Sequence, residues 1–252
     1  MATSRPGTSL AAFVLHQYDW SESSLIVELF TRVQGRVVVA AKGAKRPTSN
    51  FRPVLMPFQP LVVLLGKPPK DEQSEVLNLR SAEWAGGQAL MPATSMFAAF
   101  YANELLLKLL PRQDPHPALF DAYAATLATL AEGGDEAPAL RAFELRLLRE
   151  LGWLPELSLA TLTGEALAPE RRYALDAEAG LVANAAGLPG HDWLALEAAL
   201  AAAELPALHA ACAACAGALR TPLRGLLHYH LNASPLRTRD VRQGVQRLLE
   251  TR

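Results

Sequence analysis

The stretch FVLHQYDWSESSLIVELFTRVQGRVVVAAKGAKRP, Phe13–Pro47, decides the fold. Runs rich in Val, Leu, Ile and Phe alternate with polar turns, which predicts β-strands over about 11–19, 24–31 and 35–43. The glycine of RVQGR supplies a tight turn between the second and third. Working outward, two more strand signals cover about 54–66 and 74–83. Pro57 and Pro60 fall inside the fourth, so that strand must lie at an edge, bend or be interrupted. Five short antiparallel strands are too few for a two-sheet sandwich and suit a small closed barrel such as an OB-fold, which leaves no open edge.

After Trp84 the periodicity becomes helical. PATSMFAAFYANELLLKLL puts Met96, Phe100, Asn103 and Leu107 on one stripe and ends before Pro111. A second helix is expected over about 117–131, stopping at Gly133-Gly134. A third begins beside Pro138 and ends at Gly152, with Leu140, Phe143, Leu147 and Leu151 buried and Arg141, Glu144 and Arg149 off that stripe. Residues 153–190 are loop-rich, with at most a short hairpin, and helical signals resume near 191–203, 206–219 and 238–250. The expected class is therefore α+β and multi-domain: a five-stranded OB-fold barrel over residues 1–84, then a mainly helical domain over 85–252.

Half of the 252 residues are hydrophobic, enough for a sizeable core. The net charge of −1 conceals basic ends around an acidic middle: +4 over residues 1–80, −10 over 81–219 and +5 over 220–252. That layout points to a polyanion as partner. Two cysteines provide no disulfide framework, and no signal peptide or membrane span is legible, so a cytoplasmic protein is expected.

No phosphate-binding loop, GxGxxG turn, HExxH or GxSxG motif occurs, and no cluster of carboxylates suggests a two-metal nuclease, so the chain does not read as an enzyme. His209, Cys212 and Cys215 form the one metal-like cluster, but a fourth ligand is missing and packing within an alanine-rich helix explains them. No metal or cofactor is expected. The stronger signal is charge. Between Leu29 and Lys70 the chain carries eight Lys/Arg (Arg32, Arg36, Lys42, Lys45, Arg46, Arg52, Lys67 and Lys70) and no Asp or Glu. A groove that tracks a phosphate backbone needs such one-sided charge, and exposed aromatics on which bases stack. Arg36, Lys42, Lys45, Arg46 and Arg52 are the candidate backbone contacts and Phe51 the candidate stacking surface; Phe13, Phe30 and Phe58 are expected to fill the barrel. A second basic cluster, Arg220, Arg224, Arg237, Arg239, Arg242 and Arg247, lies near the C-terminus.

These segments together resemble the RecO recombination mediators. The Phe13–Pro47 stretch is similar to their strand, W/Y-S-E-x-S-L turn, strand and G-R-V-x-x-x-A-K-G-A loop. PFQPL, LRSAEW, YANELLLKLL and PALRAFELRLLRELGW follow in the family's order, as far as about Trp153. The resemblance implies an OB barrel with a helical C-terminal domain. It implies binding of single- and double-stranded DNA, annealing of complementary strands, and work with RecR to load RecA onto strands coated by the single-stranded-DNA-binding protein. It also implies recognition of that protein's acidic-hydrophobic tail through an arginine matched here by Arg141. Many members carry a C-x-x-C-G…C-x-x-C zinc module; the corresponding frames here are ATLTG, Ala160 to Gly164, and ANAA, Ala183 to Ala186. All four cysteine positions are Ala or Thr, which predicts a metal-free loop or hairpin. The competing reading is a protein-interaction adaptor whose barrel is only a scaffold.

Overall fold

The computed structural model describes residues 9–66, 75–231 and 234–250. By internal packing the chain divides into two compact units, Met1–Met91 with Asn103–Ala124, and Pro92–Ala102 with Ala125–Arg252.

In the first unit, β1 (Ser9–Asp19), β2 (Leu25–Thr31), β3 (Gly35–Ala41), β4 (Leu61–Leu65) and β5 (Val76–Trp84) close into a barrel in the order β1-β2-β3-β5-β4. This is the OB-like barrel expected. One pairing differs from a fully antiparallel set: β3 and β5 run parallel, because β5 inserts between β3 and β4. β1 serves two neighbours, pairing Ser9–Ala12 with β4 and Ala12–Asp19 with β2. A register irregularity between Val14 and His16 accompanies this change of partner, as bulges do where barrel strands bend. The fourth strand begins only at Leu61, directly after Pro60; the expected start near 54 fails because Pro57 and Pro60 have no N–H to give a ladder.

Ala12, Val14, Val27, Leu29, Val37, Val39, Leu61 and Val63 fill the barrel. Phe13 and Phe30 do not, contrary to expectation. Each sits one residue from an inward-facing position, so each points outward. There they meet Phe120 and Tyr123, with ring centroids 5.2–5.9 Å apart. Both faces of these strands are thus buried, which explains runs without the alternation of a half-exposed strand. Asn103 joins the layers: its Nδ2 donates to the Leu15 carbonyl at 3.0 Å, beside the β1 irregularity, and its Oδ1 accepts from the Tyr123 hydroxyl at 2.5 Å. Carbonyls that the ladder leaves over are satisfied there.

Helices α1 (Met96–Leu109) and α2 (Pro117–Ala131) each run from one unit into the other. The buried face of α1 is Ala98, Ala99, Ala102, Leu105, Leu106 and Leu109, whereas Met96 and Phe100 of the expected stripe are exposed. In the second unit, α3 (Glu136–Glu150) is capped by Asp135, whose carboxylate accepts from the Ala137 N–H at 3.1 Å. A small antiparallel sheet, β6 (Arg172–Asp176), β7 (Gly180–Ala183) and β8 (Leu188–Pro189), occupies the loop-rich segment. Then come α4 (Gly190–Ala201), α5 (Leu205–His230) and α6 (Arg237–Glu250), with α3 and α4 packed on α5. Helix α5 is kinked at Cys215 and passes through Pro222 instead of ending at 219. The buried row Leu219, Leu223, Leu226 and Leu227 spans the proline and offsets its helix-breaking cost of about 3 kcal/mol. Helix α3 is buried on nearly every side, so Glu144 and Arg146, expected off the buried stripe or unassigned, lie in the interior. Among the described residues no helix is long and apolar enough to cross a membrane.

Candidate nucleic-acid groove and peptide pocket

The basic loop after β3 is held in place by the turn before β2. The Gly43 N–H donates to Ser24 Oγ at 3.2 Å, and the Lys45 N–H to the Ser23 carbonyl at 3.0 Å. Within the loop the Ala44 N–H reaches the Ala41 carbonyl and the Arg46 N–H the Gly43 carbonyl. Gly43 has φ +72°, a left-handed conformation that a side chain disfavours. Lys42 and Arg46 are therefore presented by an ordered backbone.

They line a cleft of about 650 Å³ whose other walls include Phe51, Arg80, Glu83 and Trp84. A smaller depression of about 240 Å³ is lined by Gln17, Lys45, Phe51 and Arg52. Phe51 borders both. It is half-buried and packed against the barrel core, so it forms a wall more than a free platform. Lys42, Arg46, Arg52 and Arg80 are exposed, and among the described residues none has an acidic partner within ion-pair distance. Lys45 is paired with Asp19 at 3.0 Å. Arg36 lies elsewhere: its Nη1 is 3.3 Å from Glu28, and its Nε donates to the Leu110 carbonyl. Glu28 is buried and also takes Arg112 at 2.7 Å, so Arg36 belongs to an internal charge network. Lys67 and Lys70 lie outside the described residues.

Arg80 and Trp84 were not expected. Both are exposed on β5. The Trp84 indole N–H donates to the Val54 carbonyl at 3.2 Å while the side chain stays open, at 53% exposure. Their spacing gives no signal, because Ala82 between them faces the core and the register of β5 shifts opposite Leu64 and Leu65.

The second unit holds a pocket of about 670 Å³ with Phe97, Tyr101 and Leu140 as apolar walls and Arg141, Arg220, Arg224 and Arg242 as cations. Arg141 is fixed by Glu144 at 2.8 Å, and the same carboxylate oxygen accepts from the Tyr101 hydroxyl at 2.8 Å. The other oxygen, Glu144 Oε2, is buried and has no hydrogen-bond partner among the described residues. Burial raises the Glu144 carboxyl to about 7, against the opposing pull of Arg141 and Tyr101. Arg242 is engaged by Glu136 at 3.0 Å. Arg220 and Arg224, four apart on α5, are exposed at the rim. A pocket with apolar walls and several guanidiniums suits an acidic chain end carrying an apolar side chain.

Two family models divide the chain between them. Recombination protein O N terminal matches residues 7–86, and Recombination protein O C terminal matches 93–240. The DNA repair protein RecO of Polaromonas naphthalenivorans (strain CJ2) is 49% identical over 244 residues, covering 94% of this chain and 96% of that protein. Those of Variovorax paradoxus (strain S110) and Delftia acidovorans (strain DSM 14801 / SPH-1) are each 48% identical, covering 94% and 98% of this chain and 96% and 100% of theirs. The chain belongs to the RecO family. Membership assigns it to DNA repair.

The zinc module carried by many RecO proteins does not fit here. Its frame positions are Ala160, Thr163, Ala183 and Ala186, none of them a metal donor. The two segments are joined instead by hydrogen bonds: the Thr161 N–H donates to the Leu181 carbonyl at 2.9 Å and the Leu181 N–H to Thr161 Oγ1 at 2.8 Å. Cys212 and Cys215 are buried in α5, and burial raises both thiols, Cys215 to about 11. The half-buried His209 is pushed down by desolvation. Neutral, packed side chains account for all three.

Proposed function

We propose that this chain is a recombination mediator that binds single- and double-stranded DNA, anneals complementary strands and, with RecR, helps load RecA onto strands coated by the single-stranded-DNA-binding protein. In this reading the barrel domain, residues 1–84, carries the DNA and the helical domain, 85–252, carries the partners. Lys42, Arg46, Arg52 and Arg80 contact phosphates, with Lys45 joining once it leaves Asp19. Arg36 has an internal structural role. Arg141 receives the acidic-hydrophobic tail of the single-stranded-DNA-binding protein. The chain acts at the nucleoid in the cytoplasm and does so as a binding protein, not a catalyst.

The observation that carries this reading is the 650 Å³ cleft whose cations have no acidic partner within ion-pair distance among the described residues, with Lys42 and Arg46 on an ordered loop. Unpaired charges release phosphate counterions without first breaking an internal ion pair. The test is a salt titration of DNA binding by wild type and by Lys42→Glu/Arg46→Glu, beside a titration with an acidic peptide ending in an aromatic residue. Wild-type affinity for single strands should fall steeply with salt, and losing two phosphate contacts should flatten the log–log slope by about 1.4. Arg141→Ala should abolish peptide binding and leave DNA binding intact. Salt-insensitive or absent DNA binding refutes the mediator reading; if peptide binding survives, the chain is an interaction adaptor.

A further inference from the structure

We propose that Trp84 is a base-stacking platform that makes the barrel cleft prefer unpaired strand to duplex. This rests on the reading of that cleft as a DNA groove. Three observations converge on the residue. It lines the cleft together with Lys42, Arg46 and Arg80. Its edge is tied down, because the indole N–H donates to the Val54 carbonyl at 3.2 Å. Its side chain nevertheless remains 53% exposed. A hydrogen-bonded edge with an open face is the arrangement a stacking platform needs, since the ring is oriented before the base arrives and little rotamer freedom is lost on binding.

The specificity follows from where bases are in each form of DNA. In a duplex the base faces are covered by neighbouring pairs, so an aromatic ring at the groove gains nothing from them. In a single strand every base offers a free face, and stacking adds to the phosphate contacts whatever the sequence. Lys42, Arg46 and Arg80 meet both forms, because both carry phosphates. Discrimination therefore falls to Trp84. Phe51 is less suited, being packed against the barrel core. Trp20 is equally exposed, at 56%, but does not line the cleft, and so provides an internal control.

The experiment compares an oligothymidylate with an abasic strand of the same length, which has the same phosphate charge but no bases. Fluorescence anisotropy would be read for wild type, Trp84→Ala, Trp84→Phe and Trp20→Ala, each first shown to melt as a folded protein. Wild type should bind the base-bearing strand more tightly by about 5- to 150-fold, the range that stacking one base supplies. Trp84→Ala should erase that preference while keeping its abasic-strand affinity and salt slope; Trp84→Phe should retain part of it, and Trp20→Ala all of it. A preference that survives Trp84→Ala, or an equal loss on both strands, overturns the proposal. If wild type binds both strands equally with a steep salt dependence, the groove stands and the role of Trp84 falls. If it binds neither, the groove reading fails and the role of Trp84 with it.

Discussion

Replacing Glu144 by Gln should remove a pH dependence from the stability of the helical unit. The carboxyl is fully buried, and among the described residues only one of its oxygens has partners, Tyr101 and Arg141. Burial outweighs those two partners and lifts the group from its ordinary value of 4.5 to about 7. A raised carboxyl holds its proton more tightly in the folded state than in the unfolded one. Its contribution is therefore fully present below the unfolded value and is lost as pH rises toward the folded one. From pH 5 to pH 8 the wild type should lose about 2–3 kcal/mol from this residue alone, whereas glutamine, neutral throughout, loses none. The assay is urea unfolding followed by helical circular dichroism at both pH values, read as the change in the difference between the two proteins. Arg141→Ala supplies the converse: without its cation the carboxyl rises further, and the loss extends to higher pH. Parallel wild-type and Glu144→Gln profiles across this range would refute the reasoning, because they would mean that Arg141 keeps the group ionised in spite of burial.

Two further pairs of substitutions test the barrel. Gly35 has φ +66°, and a Cβ there would lie 2.0 Å from the Asp114 carbonyl oxygen, whereas a Cβ on Gly43 would lie 3.6 Å from the Arg46 side chain. Gly35→Ala should therefore cost well over 2 kcal/mol in chemical denaturation and Gly43→Ala about 1–2 kcal/mol, the left-handed penalty alone; similar losses would contradict the close approach. Asn103→Leu takes the side-chain donor from the Leu15 carbonyl and the Oδ1 acceptor from the Tyr123 hydroxyl and should cost about 1–3 kcal/mol, against about 1 kcal/mol for Tyr123→Phe, which removes the hydroxyl itself.

The barrel was legible because its strands are short, apolar and punctuated by turn residues. What periodicity left open was the second face. Phe13 and Phe30 belong to runs apolar on both sides, and only Phe120 and Tyr123, about ninety to a hundred and ten residues away in the chain, reveal that the outer side is covered. The proline test worked in the other direction: Pro57 and Pro60 warned that the fourth strand was interrupted, and it begins at Leu61. In the candidate groove the excess of cations was legible, but their partners were not. Arg36 and Lys42 look alike in the sequence, yet Arg36 reaches Glu28 and the Leu110 carbonyl while Lys42 faces open space. Trp84 was missed because β5 does not alternate cleanly. Leu79 and Ala82, three apart, both face the core beside a register shift opposite Leu64 and Leu65, so period two assigns no face to its end. The same limit hid Glu144, whose neighbours on α3 are apolar on nearly every side.

The serine turn before β2 and the basic loop after β3 are two halves of one device. Ser23 and Ser24 are separated from Gly43 and Lys45 by a strand pair, and the antiparallel register of β2 on β3, ending at Leu25 opposite Ala41, brings their backbones together. The turn then supplies the acceptors that the loop's N–H groups need, Ser24 Oγ for Gly43 and the Ser23 carbonyl for Lys45. A charged loop with this support binds without first being ordered, so more of the phosphate attraction appears as affinity. Breaking the support while keeping every charge, as Ser24→Ala does, should therefore weaken strand binding with the salt slope unchanged. Removing Lys42 or Arg46 lowers the slope itself. If Ser24→Ala changed the slope as the charge variants do, the turn would be contributing charge placement at a phosphate and not loop order.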